Sequence, residues 1–260
     1  MSFGTGLRNW LRGTPAAYPL DPAEWRETLA LPVLAGLNGE ERARLQALTA
    51  RFIAAKQFNP ARGYVLSERV VQRIGAQASL LVLNLGLRWY RGWREIILYP
   101  AAFVPARSYT DAAGVVHETR YPHLGEAWRG GPLIFSAAEV AGAGARRGAN
   151  VVIHEFAHKL DMLDGDANGL PPLHAAMRVA DWAAAFAAAY GDFCRRVERG
   201  EETAIDPYAA ETPAEFFAVS SEVFFEQPAI LAEIYPPVFA QLRAFYRQDP
   251  LVRLPAETIS

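Results

Sequence analysis

The stretch "NVVIHEFAHKLDMLDG", residues 150–165, begins as an apolar segment and places His154, Glu155 and His158 inside it. At helical spacing the two histidines lie one turn apart on the same face and can offer two imidazole nitrogens to one metal ion. Glu155 lies beside them, where a carboxylate can take a proton from a water molecule without itself binding the metal. The pattern H-E-x-x-H therefore predicts a catalytic metal site on a buried helix.

The alternative for this stretch is a core helix whose histidines are only hydrogen-bonded. That helix would bury two imidazoles and a carboxylate close together, which costs several kcal/mol unless every polar group is paired. A metal ion offsets this cost, so we favour the metal site.

A catalytic zinc ion usually has three protein ligands and a water molecule, so a third ligand must be found. Asp164 occupies a ligand position of the longer metzincin motif, but that motif needs Gly where Asp161 stands, and its last His is absent. Asp161 follows His158 by three residues and suits a hydrogen-bond acceptor that orients an imidazole.

A carboxylate from a second helix is the stronger candidate for the third ligand. The segment "TPAEFFAVSSEVFFEQP", 212–228, offers Glu215 and, seven residues later, Glu222. Glu215 has a structural alternative, because Thr212 could be the N-cap, Pro213 the first helical residue and Glu215 the reciprocal partner of a capping box. Spacing alone does not rank Glu215 above Glu222, so both carboxylates stay open as the third ligand.

Helical periodicity extends to both sides of the H-E-x-x-H stretch. Apolar positions recur at helical spacing in 22–57 (with 38–58 the clearest part), 67–87, 172–200, 212–228 and 235–250. Short segments rich in branched and aromatic residues indicate strands at 93–106, 114–121 and 131–137, and the Ala/Gly-rich segment 138–150 indicates a loop. The order predicts an α+β fold, mostly helical, with a small mixed sheet beside the H-E-x-x-H helix. We expect one compact unit, with an N-terminal helical region (1–90) packed on a catalytic region (91–260).

Composition excludes several classes of protein. With 26 basic and 28 acidic side chains the net charge is −2, and no basic block suggests a nucleic-acid or membrane-surface partner. The single cysteine, Cys194, excludes an internal disulfide and fits a reducing compartment. The first residues, 1–13, contain no apolar h-region and no small-residue cleavage site, so we do not expect a secretory signal. The longest apolar stretch, 78–87, is too short to span a bilayer, and we therefore expect a soluble cytoplasmic protein.

Several separate blocks of this sequence resemble the Mlc titration factor A family of zinc metallopeptidases. They cover most of residues 60–255 in order and are "WREIILYPAAFV" (93–104), "GEAWRGGPLIFS" (125–136), "VVIHEFAHKLDMLDG" (151–165), "IDPYAAETPAEFFAVSSEVFFEQP" (205–228) and "FYRQDPL" (245–251). The resemblance implies a zincin-like catalytic region with one Zn2+ ion and peptide substrates. It also implies a partner, the glucose-responsive transcriptional repressor Mlc.

The resemblance also implies a role for individual residues. The gluzincin-type site would have His154, His158 and Glu215 as zinc ligands and Glu155 as the catalytic base. The family's catalytic core is similar to that of anthrax lethal factor, in which a Tyr seven residues before the ligand Glu supports the transition state, and here that position is Tyr208. Its alternative is an aromatic side chain that only packs at a loop–helix junction.

Three functions follow as hypotheses from these observations. The first is a zinc-dependent peptidase, chiefly an aminopeptidase as the resemblance implies, with endopeptidase action open. The second is a repressor-binding protein whose zinc site is regulatory or vestigial. The third is a metal-stabilised fold without catalysis, against which Glu155 and Tyr208 both count. "GPLIFS" (131–136) is a candidate for the sheet edge on which a substrate lies, with an ordinary core strand as the alternative. His117, His123 and His174 show no ligand spacing to one another and are expected to be structural or surface histidines.

Overall fold

The computed structural model describes residues 17–101, 107–110, 116–119, 125–127 and 130–254. Ten α-helices occur in these residues: α1 (Pro22–Leu29), α2 (Gly39–Ala55), α3 (Glu68–Leu81), α4 (Ala137–Gly142), α5 (Val151–Asp161), α6 (Val179–Glu198), α7 (Pro213–Glu226), α8 (Pro228–Ile234), α9 (Pro236–Tyr246) and α10 (Pro250–Arg253). Three short 3₁₀ turns accompany them, at Pro32–Leu34, Leu87–Tyr90 and Pro207–Ala210. Within the described ranges, none of the helices combines the length and apolar character needed to cross a membrane.

The strands in the described residues form two sheets. The main sheet has the order β1-β2-β6-β5, in which β1 (Gln57–Pro60), β2 (Glu95–Tyr99) and β6 (Leu133–Ser136) are parallel and β5 (Gly125–Ala127) is antiparallel to β6. Two further strands, β3 (Arg107–Thr110) and β4 (Val116–Thr119), form an antiparallel pair.

Helix α5 lies between the sheet and the N-terminal helices, and the ring of Phe156 is the centre of that contact. It stacks on Phe135 of β6 with ring centroids 6.2 Å apart, and it meets Phe52 of α2 and Tyr90 edge-on at 5.5 and 5.0 Å. All four rings are buried in one apolar cluster, so burial holds α5 against both layers. The proposed division at residue 90 stays a prediction.

The predicted fold class is confirmed: the fold is α+β, mostly helical, with a small mixed sheet beside α5. The predicted strands 93–106, 114–121 and 131–137 contain β2, β4 and β6 respectively. The parts of those predictions at 102–106, 114–115 and 120–121 lie outside the described residues.

The prediction of a loop at 138–150 is wrong at its start, because α4 occupies Ala137–Gly142. The side chain of Ser136 caps this helix by accepting from the backbone N–H of Glu139 at 3.4 Å. The Ala/Gly-rich composition of this segment is typical of a loop, so it gave no indication of the short helix.

Several predicted helices have different boundaries in the structure, among them the one predicted at 67–87, which ends at Leu81. The helix predicted at 172–200 begins only at Val179. The helix predicted at 38–58 ends at Ala55, and β1 follows it. Lys56 lies between them, and its ammonium group donates to the carbonyls of Tyr90 and Trp93, both at 2.8 Å. The residues that carry these two carbonyls are far from Lys56 in sequence, so helical periodicity could not indicate where the helix ends.

Two alternatives were open for 131–136, a sheet edge and an ordinary core strand, and the sheet edge is wrong. Strand β6 lies between β2 and β5, and all four of its residues are buried. It is therefore the core strand that the alternative described, and the edge on this side of the main sheet is β5.

Candidate metal centre

The H-E-x-x-H helix begins at a cap that fixes its first turn. Asn150 is the N-cap of α5, and its side-chain oxygen accepts from the backbone N–H groups of Val152 and Ile153 at 3.1 and 3.0 Å. Val152 and Ile153 are themselves fully buried. The apolar start of the stretch thus anchors the helix, His154 follows it directly, and His158 lies one turn further along.

Helix α7 delivers Glu215 to the same place. Thr212 is its N-cap and accepts from the backbone N–H of Glu215 at 3.1 Å, and Pro213 is the first helical residue, as the capping alternative predicted. The carboxylate of Glu215 does not complete a capping box, however. It points instead at the two imidazoles of α5.

Three side-chain atoms form a tight triangle at this point. Oε2 of Glu215 lies 3.0 Å from Nε2 of His154 and 3.2 Å from Nε2 of His158, and the two Nε2 atoms are 3.2 Å apart. Among the described residues, this is the group of His, Cys, Asp or Glu side chains that could hold a metal ion. Asp161, Asp164 and Glu222 do not belong to it.

The electrostatics of the triangle stabilise positive charge. Burial opposes protonation of His154, but the carboxylates of Glu222 and Glu215 outweigh burial and raise the pKa of this imidazole well above its usual value. Burial would likewise raise the pKa of Glu215, but hydrogen bonds and charges from His154 and His158 hold it well below its usual value. A proton on His154 supplies positive charge here in the absence of a metal ion, and a bound dication would supply it instead.

The spacing of the three atoms fits a metal ion. Ligands at about 2.0–2.1 Å from a tetrahedral zinc ion are separated from one another by roughly 3.3 Å. The observed separations of 3.0–3.2 Å are close to that value. The described residues offer three candidate ligands, and three protein ligands with an open fourth position are the pattern of catalytic rather than structural zinc sites.

Glu155 lies at the edge of this cluster. It is 4% exposed, and its negative charge contributes to raising the pKa values of His154 and Tyr208. One turn further along α5, the ammonium group of Lys159 donates to the carbonyl of Gly131 at 2.8 Å. Burial lowers the pKa of Lys159 to about 8, and the charge of Glu155 opposes that change. Lys159 was not recognised from the sequence, although its i+4 spacing from Glu155 was the available signal.

Tyr208 lies in the 3₁₀ turn that precedes α7, with its ring centroid 6.1 Å from that of His154. Both ends of this turn are held: Asp206 accepts from the backbone N–H of Tyr208 at 2.9 Å, and the hydroxyl of Tyr190 on α6 donates to the carbonyl of Ala210 at 3.0 Å. Partial burial and the charges of Glu215 and Glu155 raise the pKa of Tyr208. Its hydroxyl therefore stays protonated near neutral pH and can donate a hydrogen bond.

The two aspartates considered as ligands have other positions. Asp164 is exposed, whereas Asp161 is buried and accepts from the backbone N–H groups of Asn168 and Gly169 at 2.9 and 2.8 Å. The hydrogen bond expected from His158 to Asp161 is not formed, since His158 Nδ1 and Asp161 Oδ1 are both buried without a partner. Asp161 thus holds the loop that follows α5.

His174 lies away from this triangle. Nε2 of His174 lies 2.8 Å from the carbonyl of Phe245, and its ring packs edge-on against Trp89, which is a structural role as predicted. The side chain of His117 and the whole of His123 lie outside the described residues.

Known proteins resemble this chain over most of its length. Residues 7–247 match the family described as glucose-regulated metallo-peptidase M90. The chain is 40% identical over 237 residues to Mlc titration factor A of Cronobacter sakazakii, covering 90% of this chain and 89% of that relative. It is 39% identical over 236 residues to the protein of the same name from Escherichia fergusonii (90% and 89% covered) and 39% identical over 249 residues to that from Yersinia enterocolitica (94% and 92% covered).

Proposed function

The chain belongs to the glucose-regulated metallo-peptidase M90 family, and from that membership we propose that it is a zinc-dependent peptidase. The observation that carries the proposal is the triangle of His154, His158 and Glu215, whose ligand atoms lie 3.0–3.2 Å apart. These three residues would hold the zinc ion. Two imidazoles and one carboxylate suit zinc among the divalent metals.

The residues around the triangle have distinct parts in the proposed reaction. Bound zinc would acidify a water molecule and polarise the scissile carbonyl. Glu155 accepts the proton of the attacking water and then delivers it to the leaving amine. Tyr208 donates its hydroxyl hydrogen to the carbonyl oxygen as negative charge develops there.

We propose that peptides with a free N-terminus are the preferred substrates, as the family resemblance implies. An aminopeptidase must neutralise the ammonium group of its substrate. Glu211, an exposed carboxylate whose charge contributes to raising the pKa of Tyr208, is available for that purpose. Comparing a peptide that has a free N-terminus with its acetylated form would separate aminopeptidase from endopeptidase action.

Metal removal tests the peptidase proposal directly. We expect a zinc chelator to abolish peptide hydrolysis and a stoichiometric amount of zinc to restore it, since the chain's own groups cannot replace the ion's charge at the carbonyl. The measurement is the rate of peptide cleavage in the untreated, chelated and reconstituted protein. Hydrolysis that continues unchanged in the chelated protein would contradict the proposal.

The variant Tyr208→Phe tests the proposed oxyanion donor. We expect kcat to fall by about 10²–10³-fold with little change in KM, because the hydroxyl acts on charge that develops only in the transition state. Tyr208 is 46% exposed, so thermal unfolding should change little. Tyr235→Phe, which removes a hydroxyl that bonds Asp192 at 3.0 Å, is the control and should keep full activity. Equal activity of Tyr208→Phe and the unmodified chain would assign Tyr208 a packing role only.

A second function is favoured by the names of the relatives, which are called titration factors for Mlc. We propose that this chain also binds such a transcriptional repressor, and that it does so in the cytoplasm. Binding of purified repressor to the Glu155→Gln variant, followed by size-exclusion chromatography, separates this function from catalysis. Failure to form a complex would remove the partner without affecting the peptidase proposal.

A further inference from the structure

Glu222 accepts hydrogen bonds from two different donors, one with each carboxylate oxygen. Its Oε1 lies 2.7 Å from Nδ1 of His154, and its Oε2 accepts from the backbone N–H of Asn150. The side chain of Glu222 is only 8% exposed, so water does not compete strongly for either oxygen. One carboxylate therefore joins the imidazole of a metal-ligand candidate to the start of α5.

The contact with Glu222 determines which ring nitrogen of His154 is available to a metal ion. A carboxylate at Nδ1 keeps a proton on that atom, which leaves the lone pair of Nε2 available for a metal ion. Nε2 is the atom that belongs to the triangle with Glu215 and His158. His158 lacks such support, because its Nδ1 is buried without a hydrogen-bond partner among the described residues.

Asn150 in turn is fixed by two other helices. Its side-chain amide donates to Gln77 of α3 at 2.7 Å and to Glu226 of α7 at 2.6 Å, while its side-chain oxygen caps α5. The backbone N–H that Glu222 accepts is thus held in place from three directions. Glu222 is consequently a short, rigid link between this buried network and His154.

We propose that Glu222 is a positioning residue for metal binding, which holds His154 with Nε2 directed at the ion. The inference rests on the metal site of the proposed function. The position requires a carboxylate, because the backbone N–H of Asn150 and the Nδ1–H of His154 are both donors. Glutamine has one acceptor oxygen, so its amide N–H₂ would face one of these donors and leave it unpaired.

The test compares Glu222→Gln with Glu226→Gln. Glu226 lies one turn later on the same helix, is fully buried and bonds Asn150, but it does not contact a histidine. Burial raises the pKa of Glu226 to about 7, so a neutral amide resembles a form that the protein already populates near neutral pH. Glu226→Gln therefore makes the same chemical change in the same network without touching the metal site.

Zinc affinity, measured by competition with a chromophoric chelator, is the first readout. We expect Glu222→Gln to bind zinc about 10–100-fold more weakly than the unmodified chain, and Glu226→Gln to bind it equally well. Unchanged affinity in Glu222→Gln would overturn the inference while leaving the proposed metal site intact. An equal loss in both variants would also overturn it, since the effect would then be general damage to the network.

The second readout uses the unmodified chain, so it does not depend on whether a variant folds. In the unmodified zinc-loaded chain, ¹⁵N NMR should show His154 bound to the ion through Nε2 and carrying a slowly exchanging proton on Nδ1. Coordination through Nδ1 would overturn the inference. If the unmodified chain bound no zinc at all, the metal site itself would be wrong, and the role of Glu222 with it.

Discussion

Glu155→Gln is expected to lower kcat/KM for peptide hydrolysis by about 10²–10⁴-fold while zinc stays bound. The substitution keeps the shape of the side chain but removes its ability to accept a proton from water. Glu155 does not belong to the triangle of His154, His158 and Glu215, so the metal content should not change. The measurements are steady-state kinetics and the zinc content of the purified variant.

The control for this variant must separate loss of a base from loss of nearby negative charge. Glu211→Gln makes the same chemical change at an exposed position whose charge also influences Tyr208. Because Glu211 is proposed to hold the substrate ammonium group, Glu211→Gln should raise KM for a peptide with a free N-terminus and leave kcat largely unchanged, whereas Glu155→Gln should lower kcat. If Glu155→Gln hydrolyses peptides as fast as the unmodified chain, the assignment of the base is wrong.

Glu215→Ala is expected to weaken zinc binding by more than 100-fold, since removing a ligand should cost more than the roughly 10–100-fold lost when a ligand's supporting partner is removed. The variant leaves two imidazoles without the carboxylate that lies 3.0 and 3.2 Å from them. Peptide hydrolysis should fall with zinc occupancy and recover in part at high zinc concentration. Chelator competition and kinetics at several zinc concentrations measure both effects.

The comparison of Glu215→Ala with the Glu222 variant distinguishes the two carboxylates that the sequence left open. Removing a ligand should cost more zinc affinity than removing a positioning residue, so Glu215→Ala must bind zinc more weakly than Glu222→Gln. Circular dichroism should show that both variants remain folded, because the N-cap of α7 is the side chain of Thr212 and not that of Glu215. The reverse order of affinities would identify Glu222 as the ligand.

The parts of this structure that depend on local sequence could be predicted. His154, Glu155 and His158 lie on one helix, so the helical period fixes their arrangement without any knowledge of the rest of the fold. Thr212 and Pro213 likewise indicate the start of α7 through their own conformational preferences. The ranking of Glu215 above Glu222 required the resemblance, because both are carboxylates on one apolar helix.

The parts that depend on contacts distant in sequence could not be predicted. The role of Asn150 depends on Gln77 and Glu226, which are 73 and 76 residues away. The position of β6 inside the sheet depends on β5, three residues that carry no periodic signal of their own. The partners of an apolar strand or a buried amide are set by packing of the whole chain, which one sequence does not reveal.

The segment from Asp206 to Glu215 is held in place by hydrogen bonds at Asp206, Ala210 and Thr212. Each added residue would shift the chain by about 1.5–3.3 Å. If Glu215 binds the metal ion as proposed, that shift would move the hydroxyl of Tyr208 out of hydrogen-bonding range of a substrate carbonyl at the metal. During evolution this segment can therefore change in residue identity but not in length, and insertions that preserve catalysis should occur elsewhere in the family.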